Sequence, residues 1–508
     1  MKLFKKTKAI TLVKLLFATS AVSSSAFAFE NLNTYTKTSA NIAFVGGNVL
    51  NPALDTSTSN ATILVSQGNI VRIQPSSQSV PSNYKIIDIQ DKWVIPGLID
   101  GHIHLAQSGS AFTRPDTFDA TQIYSYEDDQ QWLLDNTTDI LKSYLNMGIT
   151  SVYDMGGPSE YLSHYKKVTA DGLYPDIYAA GTLLAPMEIP ALSLNGNTFT
   201  QVTTSEEAIE LVKKQLVHHT DMVKIVWSQE TGLSTQALFD LYQPAIELAK
   251  KHNKIIAIHV EQLENAKVAI KAGADVLVHS VMTEHIDDEF INLMTQYQVT
   301  YMPTLTSYSH YFELFKNELT FSAYELEQSQ PVITNSFKQL NDNASKADQM
   351  LHMLWKYVPK VDEPEENIAK LTAQEQSIIK QLKSMFSTRF EDIQKSNLKK
   401  AVDAGVNVAL GTDAGNPGTL HGSSLYGEAL AWQEAGISNK QILKAITYGN
   451  AAALELDKHI GNLLSGKYAN FVVLNKNPYQ QLATLKAPVM TVKRGEVVVI
   501  DKEIKHEK

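Results

Sequence analysis

Apolar residues along this chain gather in short runs that end in polar side chains able to bind metal. The clearest is residues 93–104, a strand-like run that closes on His102 and His104. Side chains alternate faces along a strand, so histidines two apart project to the same side. Two imidazoles placed in this way can grip one metal ion. Four further runs follow the pattern. Residues 221–227 carry Lys224 in an otherwise apolar stretch, 254–259 end in His259, 275–279 in His279, and 407–413 in Asp413. Strand-like runs also cover 149–155, 177–183 and 299–305, and helix-period segments such as 205–218 and 234–252 lie between strands. This alternation predicts βαβ units and a parallel sheet. In a parallel barrel every carboxyl end opens onto one face, so residues far apart in the chain converge there.

The two ends of the chain read differently. Residues 42–50, 61–65, 70–73 and 85–89 are short strands, with a hairpin-like turn at 67–69. Residues 471–474, 489–493 and 496–500 are strands again, with Arg494-Gly495 as the turn between the last two. The pattern by itself shows two β-rich ends. Residues 308–401 are mostly helical and are interrupted at Pro359 and Pro364. That stretch far exceeds an ordinary strand-to-helix connection and predicts an inserted subdomain over the mouth of the barrel. It would act either as a lid that shapes the pocket or as a structural or dimer contact.

His102, His104, Lys224, His259, His279 and Asp413, taken in this order, resemble the amidohydrolase superfamily, and within it the imidazolonepropionase-like and prolidase-like branches. The stretches 411–422 and 466–474 match as well. The resemblance implies an α/β fold: a TIM-type (β/α)8 barrel over 96–458, with a helical insertion at about 308–401 before the last barrel strand. It also implies a small β-sandwich domain built from both chain ends, 29–95 and 459–508. The loop at 179–190 lacks the glycine-glycine-histidine stretch of many prolidase-like relatives, so their substrate contact there does not carry over. Asn470 stands where the family often has aspartate.

The chemistry implied is hydrolysis of an amide-type C–N bond at two divalent ions, with zinc the best fit to imidazole and carboxylate ligands. His102, His104 and Asp413 would hold one ion, and His259 and His279 the other. An ammonium facing two dications is strongly disfavoured. In related binuclear enzymes this lysine reacts with carbon dioxide, and Lys224 would likewise become a carbamate that bridges the ions. A water activated between the ions would attack a carbonyl carbon, and Asp413 would pass its proton to the leaving nitrogen. The substrate would be a dipeptide, an N-acyl amino acid or a related small amide. His421, Glu261, Tyr301 and His310 are candidates for substrate contact, with Tyr308 beside them. His421 could equally stiffen its loop, and the tyrosines and His310 could equally be core residues. A one-metal deaminase or cyclic amidase of the same superfamily is the nearest alternative. A non-catalytic periplasmic binding protein on the same scaffold is an alternative of a different class.

Composition narrows the setting. With 44% hydrophobic and 19% charged residues over 508 positions, the chain is an ordinary globular protein long enough for a large core and an accessory domain. A net charge of -10 without a basic patch excludes a nucleic-acid partner. Residues 1–28 read as a secretory signal: four early lysines, an apolar segment at 12–22, and Ala26-Phe27-Ala28 as a cleavage site. That apolar segment is shorter than the ~20 residues of a spanning helix, so no membrane insertion is expected after cleavage. The chain has no cysteine, which removes both disulfides and a lipoprotein anchor. The expectation is an exported enzyme, periplasmic or secreted, with a small-molecule substrate and room for homo-oligomerisation.

Overall fold

The computed structural model describes residues 40–500, except 171, 230 and 231. The segment read as a secretory signal lies outside the described residues. Strands β1 (Asn41–Asn51), β2 (Thr56–Ser66) and β3 (Asn69–Pro75) form an antiparallel meander, and β4 (Lys85–Asp88) and β5 (Trp93–Pro96) run parallel to β1.

The central region supplies two parallel arcs. One contains β6 (Leu98–Ile103), β7 (Ile149–Asp154) and β8 (Asp176–Ala179). The other contains β9 (Leu183–Ala185), β10 (Phe199–Gln201), β11 (Met222–Val226), β12 (Ile255–His259), β13 (Val276–Val278) and β14 (Thr300–Met302). Regular ladders do not join the arcs into a closed cylinder. At one seam the Asp221 N–H donates to the Ala179 carbonyl and the Ala179 N–H donates to the Asp221 carboxylate, both at 2.9 Å. At the other seam, residues 407–414 form isolated bridges, Tyr301 to Val408 and Ile103 to Ala414, where an eighth strand was expected. The left-handed Asp413, at φ of 63°, interrupts the extended backbone of that segment.

The expected third run, 177–183, splits into β8 and the short β9, and the seventh stops at Met302 because a helix starts at Leu305. Helices Ser205–Val217 and Thr235–Lys251 begin at Thr204 and Ser234, whose hydroxyls accept N–H groups of the first turn. The predicted insertion is a run of short helices from Leu305–Lys316 to Thr388–Asp403. Pro359 falls in a 3₁₀ turn, and Pro364 precedes the Glu365–Ile368 helix.

Strands β15 (Phe471–Leu474), β16 (Met490–Lys493) and β17 (Glu496–Ile500) return to the first sheet, with β15 pairing antiparallel with β5. Both ends of the chain therefore share one eight-stranded sheet, where two packed sheets were expected. The sheet bends enough for the rings of Phe44 and Phe471, two strands apart, to meet at 4.9 Å. This brings the apolar faces of both arms into one core.

Alternation along the arcs sorts the side chains. Met222, Ala257, Val276, Val278 and Met302 join residues from both arcs on the concave side. Val223, Ile225, Ile256, Ile258, Leu277 and Tyr301 pack under the helices. Lys224 and His259 have the parity of the concave set. His279 does not, but its φ of 70° breaks the alternation.

Candidate metal centre

Backbone pairing at the carboxyl ends of the arcs brings the predicted residues together. The Asp413 N–H donates to the His102 carbonyl and the His104 N–H to the Ala414 carbonyl, each at 2.7 Å, which locks the first run against the last. The Nε2 atoms of His102 and His104 lie 3.3 Å apart, and Asp413 Oδ1 is 3.3 and 3.1 Å from them. Among the described residues these three form a group whose ligand atoms lie within 4.8 Å of one another. The row of rings continues: His102 to His279 at 5.0 Å between centroids, and His279 to His259 at 4.5 Å.

The atoms left without protein partners test whether a cation fits. Among the described residues, the buried His102 Nδ1 and Lys224 Nζ have no hydrogen-bond partner, and Asp413 Oδ1 has only the two imidazoles beside it. Lys224 is 1% exposed. Burial pushes its pKa down to about 7, against the pull of the Asp413 charge. Burial also holds the His102 imidazole well below its usual range, helped by the Lys224 charge, and brings His279 down to about 4. Neutral imidazoles are the ligand form. For Asp413 burial alone would raise the pKa, but His102 and His104 outweigh it and hold the carboxyl well below the carboxylate range. Imidazoles, an ionised carboxylate and an amine without a hydrogen-bond partner among the described residues are a donor set that suits divalent ions of the zinc type.

The remaining ring nitrogens are held by the protein. His104 Nδ1 meets the Gly156 carbonyl at 2.8 Å, and His279 Nδ1 meets Thr304 Oγ1 at 2.7 Å. Such contacts orient a ligating imidazole. Ser307 Oγ donates to Asp413 Oδ2 at 2.8 Å. Asp100, fully buried, accepts from the N–H groups of His102 and Thr412 and from the Thr412 hydroxyl. Asn416 donates to the Asp413 carbonyl at 3.1 Å and accepts from Arg114 and Tyr311.

The four candidates for substrate contact fall in different places. Glu261 lies beside the row of rings, its Oε1 3.9 Å from His259 Nε2. His421 has both ring nitrogens engaged, by the Tyr144 hydroxyl and the Gln107 carbonyl at 2.8 Å each, so in this structure it braces its loop. Tyr301 points away from the rings, packing on Phe290 and accepting from the Val281 N–H at 3.1 Å, because its parity is opposite to that of Met302. His310 Nδ1 meets Thr419 Oγ1 at 2.9 Å, and Tyr308 bonds to the backbone of Ser387. Asp100, Thr304, Ser307 and Arg114 were not singled out in the sequence. Only Asp100, two residues before His102, carried a signal there.

Known proteins resemble this chain at two levels. Imidazolonepropionase of Bacteroides thetaiotaomicron is 36% identical over 101 residues, 19% of this chain and 24% of that protein. Guanine deaminase of Escherichia coli is 41% identical over 91 residues, 17% of this chain and 21% of that protein. The matched region is thus about a quarter of the length of these curated relatives or less. Among solved structures, a Xaa-Pro dipeptidase superposes with a TM-score of 0.65 at 19% identity, covering 90% of this chain and 99% of that one. The ochratoxinase of A. niger superposes with a TM-score of 0.63 at 18% identity, covering 92% and 99%. At these identities the likeness is one of fold. A sequence profile of the amidohydrolase family matches residues 93–498, and the chain belongs to that family.

Proposed function

We propose that this chain is an exported, metal-dependent hydrolase of amide-type C–N bonds, acting on a dipeptide, an N-acyl amino acid or a similar small amide. The two arcs are read as the wall of a (β/α)8 barrel spanning 96–458. Both chain ends form the accessory domain, and the helices at about 308–401 flank the barrel mouth. The observation that carries the reading is the meeting of His102, His104 and Asp413, together with Lys224, a buried amine that interacts electrostatically with Asp413 and has no hydrogen-bond partner among the described residues.

His102, His104 and Asp413 would hold one divalent ion, His259 and His279 a second, and Lys224 would join them. When bound, such ions supply Lewis acidity, polarising a carbonyl and making water nucleophilic at neutral pH. Lys224 contributes as a neutral amine: its nitrogen adds to carbon dioxide, one N–H proton leaves, and the product is an anionic carbamate. The Asp413 carboxylate, held at Oδ2 by Ser307, takes the proton of the attacking water and returns it to the leaving nitrogen. Glu261 borders the approach to His259 and is the remaining candidate for substrate contact.

A screen of zinc-loaded protein against dipeptides, N-acyl amino acids and lactams tests the activity. Lys224→Ala tests the mechanism. It is expected to lose at least about 100-fold in turnover and to regain part of it with added short carboxylic acids. Full activity in Lys224→Ala would remove the carbamate from the scheme. The tight His102, His104 and Asp413 group by itself favours a second reading, a one-ion deaminase or cyclic amidase. One zinc per chain, unchanged by bicarbonate during growth, would select it.

A further inference from the structure

The Leu305–Lys316 helix starts at the site but is not capped by its own first residue. Thr304 occupies the N-cap position, where a threonine hydroxyl ordinarily accepts an N–H from the first turn. It makes no such bond, because its Oγ1 is engaged with His279 Nδ1 at 2.7 Å. Three residues on, Ser307 holds Asp413 Oδ2. The open N–H groups of Leu305 and Thr306 donate instead to the Glu428 carboxylate, at 2.9 and 2.8 Å, from the separate helix Ser424–Glu434. The Thr306 hydroxyl at 2.8 Å and Trp432 Nε1 at 3.0 Å complete four donors around a fully buried carboxylate.

We propose that Glu428 is a positioning residue: by capping the Leu305–Lys316 helix from outside, it leaves the Thr304 hydroxyl free to hold His279 and keeps Ser307 against Asp413. The consequence for metal binding rests on the reading of the site given above. The carboxylate offers acceptors on both oxygens, whereas the amide of glutamine would turn a donor toward at least one N–H. Without the carboxylate, the Thr306 N–H at the second helical position needs another acceptor, and the N-cap hydroxyl of Thr304 is the ordinary one. Its hydroxyl would swing back to its own helix and release His279.

Crystal structures of the chelator-treated full chain carrying Glu428→Gln or Glu428→Ala read the positioning without any metal. The expected result is Thr304 Oγ1 turned onto its own helix, out of hydrogen-bond reach of His279 Nδ1. Thr304 still on His279 in every variant that folds would overturn the proposal. The visible spectrum of the cobalt(II)-loaded chain gives a second readout. Glu428→Gln and Thr304→Val are expected to shift its bands alike and to weaken cobalt binding about 10- to 100-fold. Ile442→Val, a core change on another helix, is expected to leave the spectrum unchanged. Identical spectra for wild type and Glu428→Gln would also overturn the proposal. If the wild-type chain took up no cobalt, the metal-site reading would fail, while the crystal comparison would still decide the role of Glu428.

Discussion

Asp413 and His279 sit in the left-handed region, at φ of 63° and 70°. Each costs of order 1–3 kcal/mol unless its surroundings fix it. Here the surroundings are the Asp413 N–H to the His102 carbonyl and the His279 N–H to the Met302 carbonyl, at 2.7 and 3.0 Å. The close approach behind the first of these contacts depends on a glycine. A Cβ on Gly411 would stand 2.5 Å from the His102 Cβ and 2.8 Å from its backbone nitrogen. Neither atom can move without moving the ligand itself. Gly411→Ala is therefore expected to cost about 1–3 kcal/mol in stability and to abolish stoichiometric zinc uptake. Gly427→Ala is the control: nothing lies within 4 Å of its Cβ, and the residue is inside a helix. It should be neutral or stabilising by up to about 1 kcal/mol. Thermal melts with bound-metal analysis of both variants check the pair, and full zinc uptake by Gly411→Ala would refute the close-approach argument.

Between β8 and β11 the arcs are joined through the Asp221 carboxylate and one backbone bond. Burial pushes this carboxyl up to about 7, against the Ala179 N–H and the Lys254 charge. Well below pH 4 both folded and unfolded chains hold the proton, and nothing is lost. As pH rises toward 7 the unfolded chain ionises first, so stability falls across this window. Above it the full cost applies, at most about 4 kcal/mol. Asp221→Asn cannot titrate, so its stability relative to wild type should climb between pH 4 and 7 and then level off. Urea midpoints of chelator-treated wild type and Asp221→Asn over that range measure the difference, and parallel curves would discard the assignment. What the sequence revealed has the same limits as this seam. Runs ending in His259, His279 and Asp413 were legible because period-two patterning and strand ends are local. For Tyr301 the two readings, substrate contact and core, stood level, and its parity opposite to Met302 was the local feature that favoured the core. Thr304, Ser307 and Glu428 left no mark, since their partners lie on other elements and nothing local ties a helix N-terminus to a distant glutamate. The strand pattern alone showed two β-rich segments, and their union came from the family resemblance, which implied two packed sheets where there is one.

At the scale of the whole molecule, the proposed ligands join β6 to the irregular segment 407–414, and the charge of Lys224, from the middle of the chain, acts on His102. Ions held there would cross-link segments that the backbone joins only by short ladders and two seams. Binding to the folded state alone adds RT ln(1 + [L]/Kd), about 2.7 kcal/mol at a hundredfold excess of zinc over its Kd. Chelation should therefore lower the melting temperature by a few degrees, and added zinc should restore it. Lys224 separates this effect from ordinary packing. In the metal-free chain a buried amine without a partner costs about 1–3 kcal/mol, so Lys224→Met, which removes the polar atom and keeps the volume, should raise the melting temperature of the chelated protein. The same change deletes a link between the ions, so the zinc-dependent increment should shrink. A functional lysine predicts both shifts, in opposite directions, within one set of melts. If Lys224→Met kept the full zinc increment and melted no higher without metal, the lysine would be a structural residue, and the two-ion reading would lose the side chain that distinguishes it from the one-ion alternative.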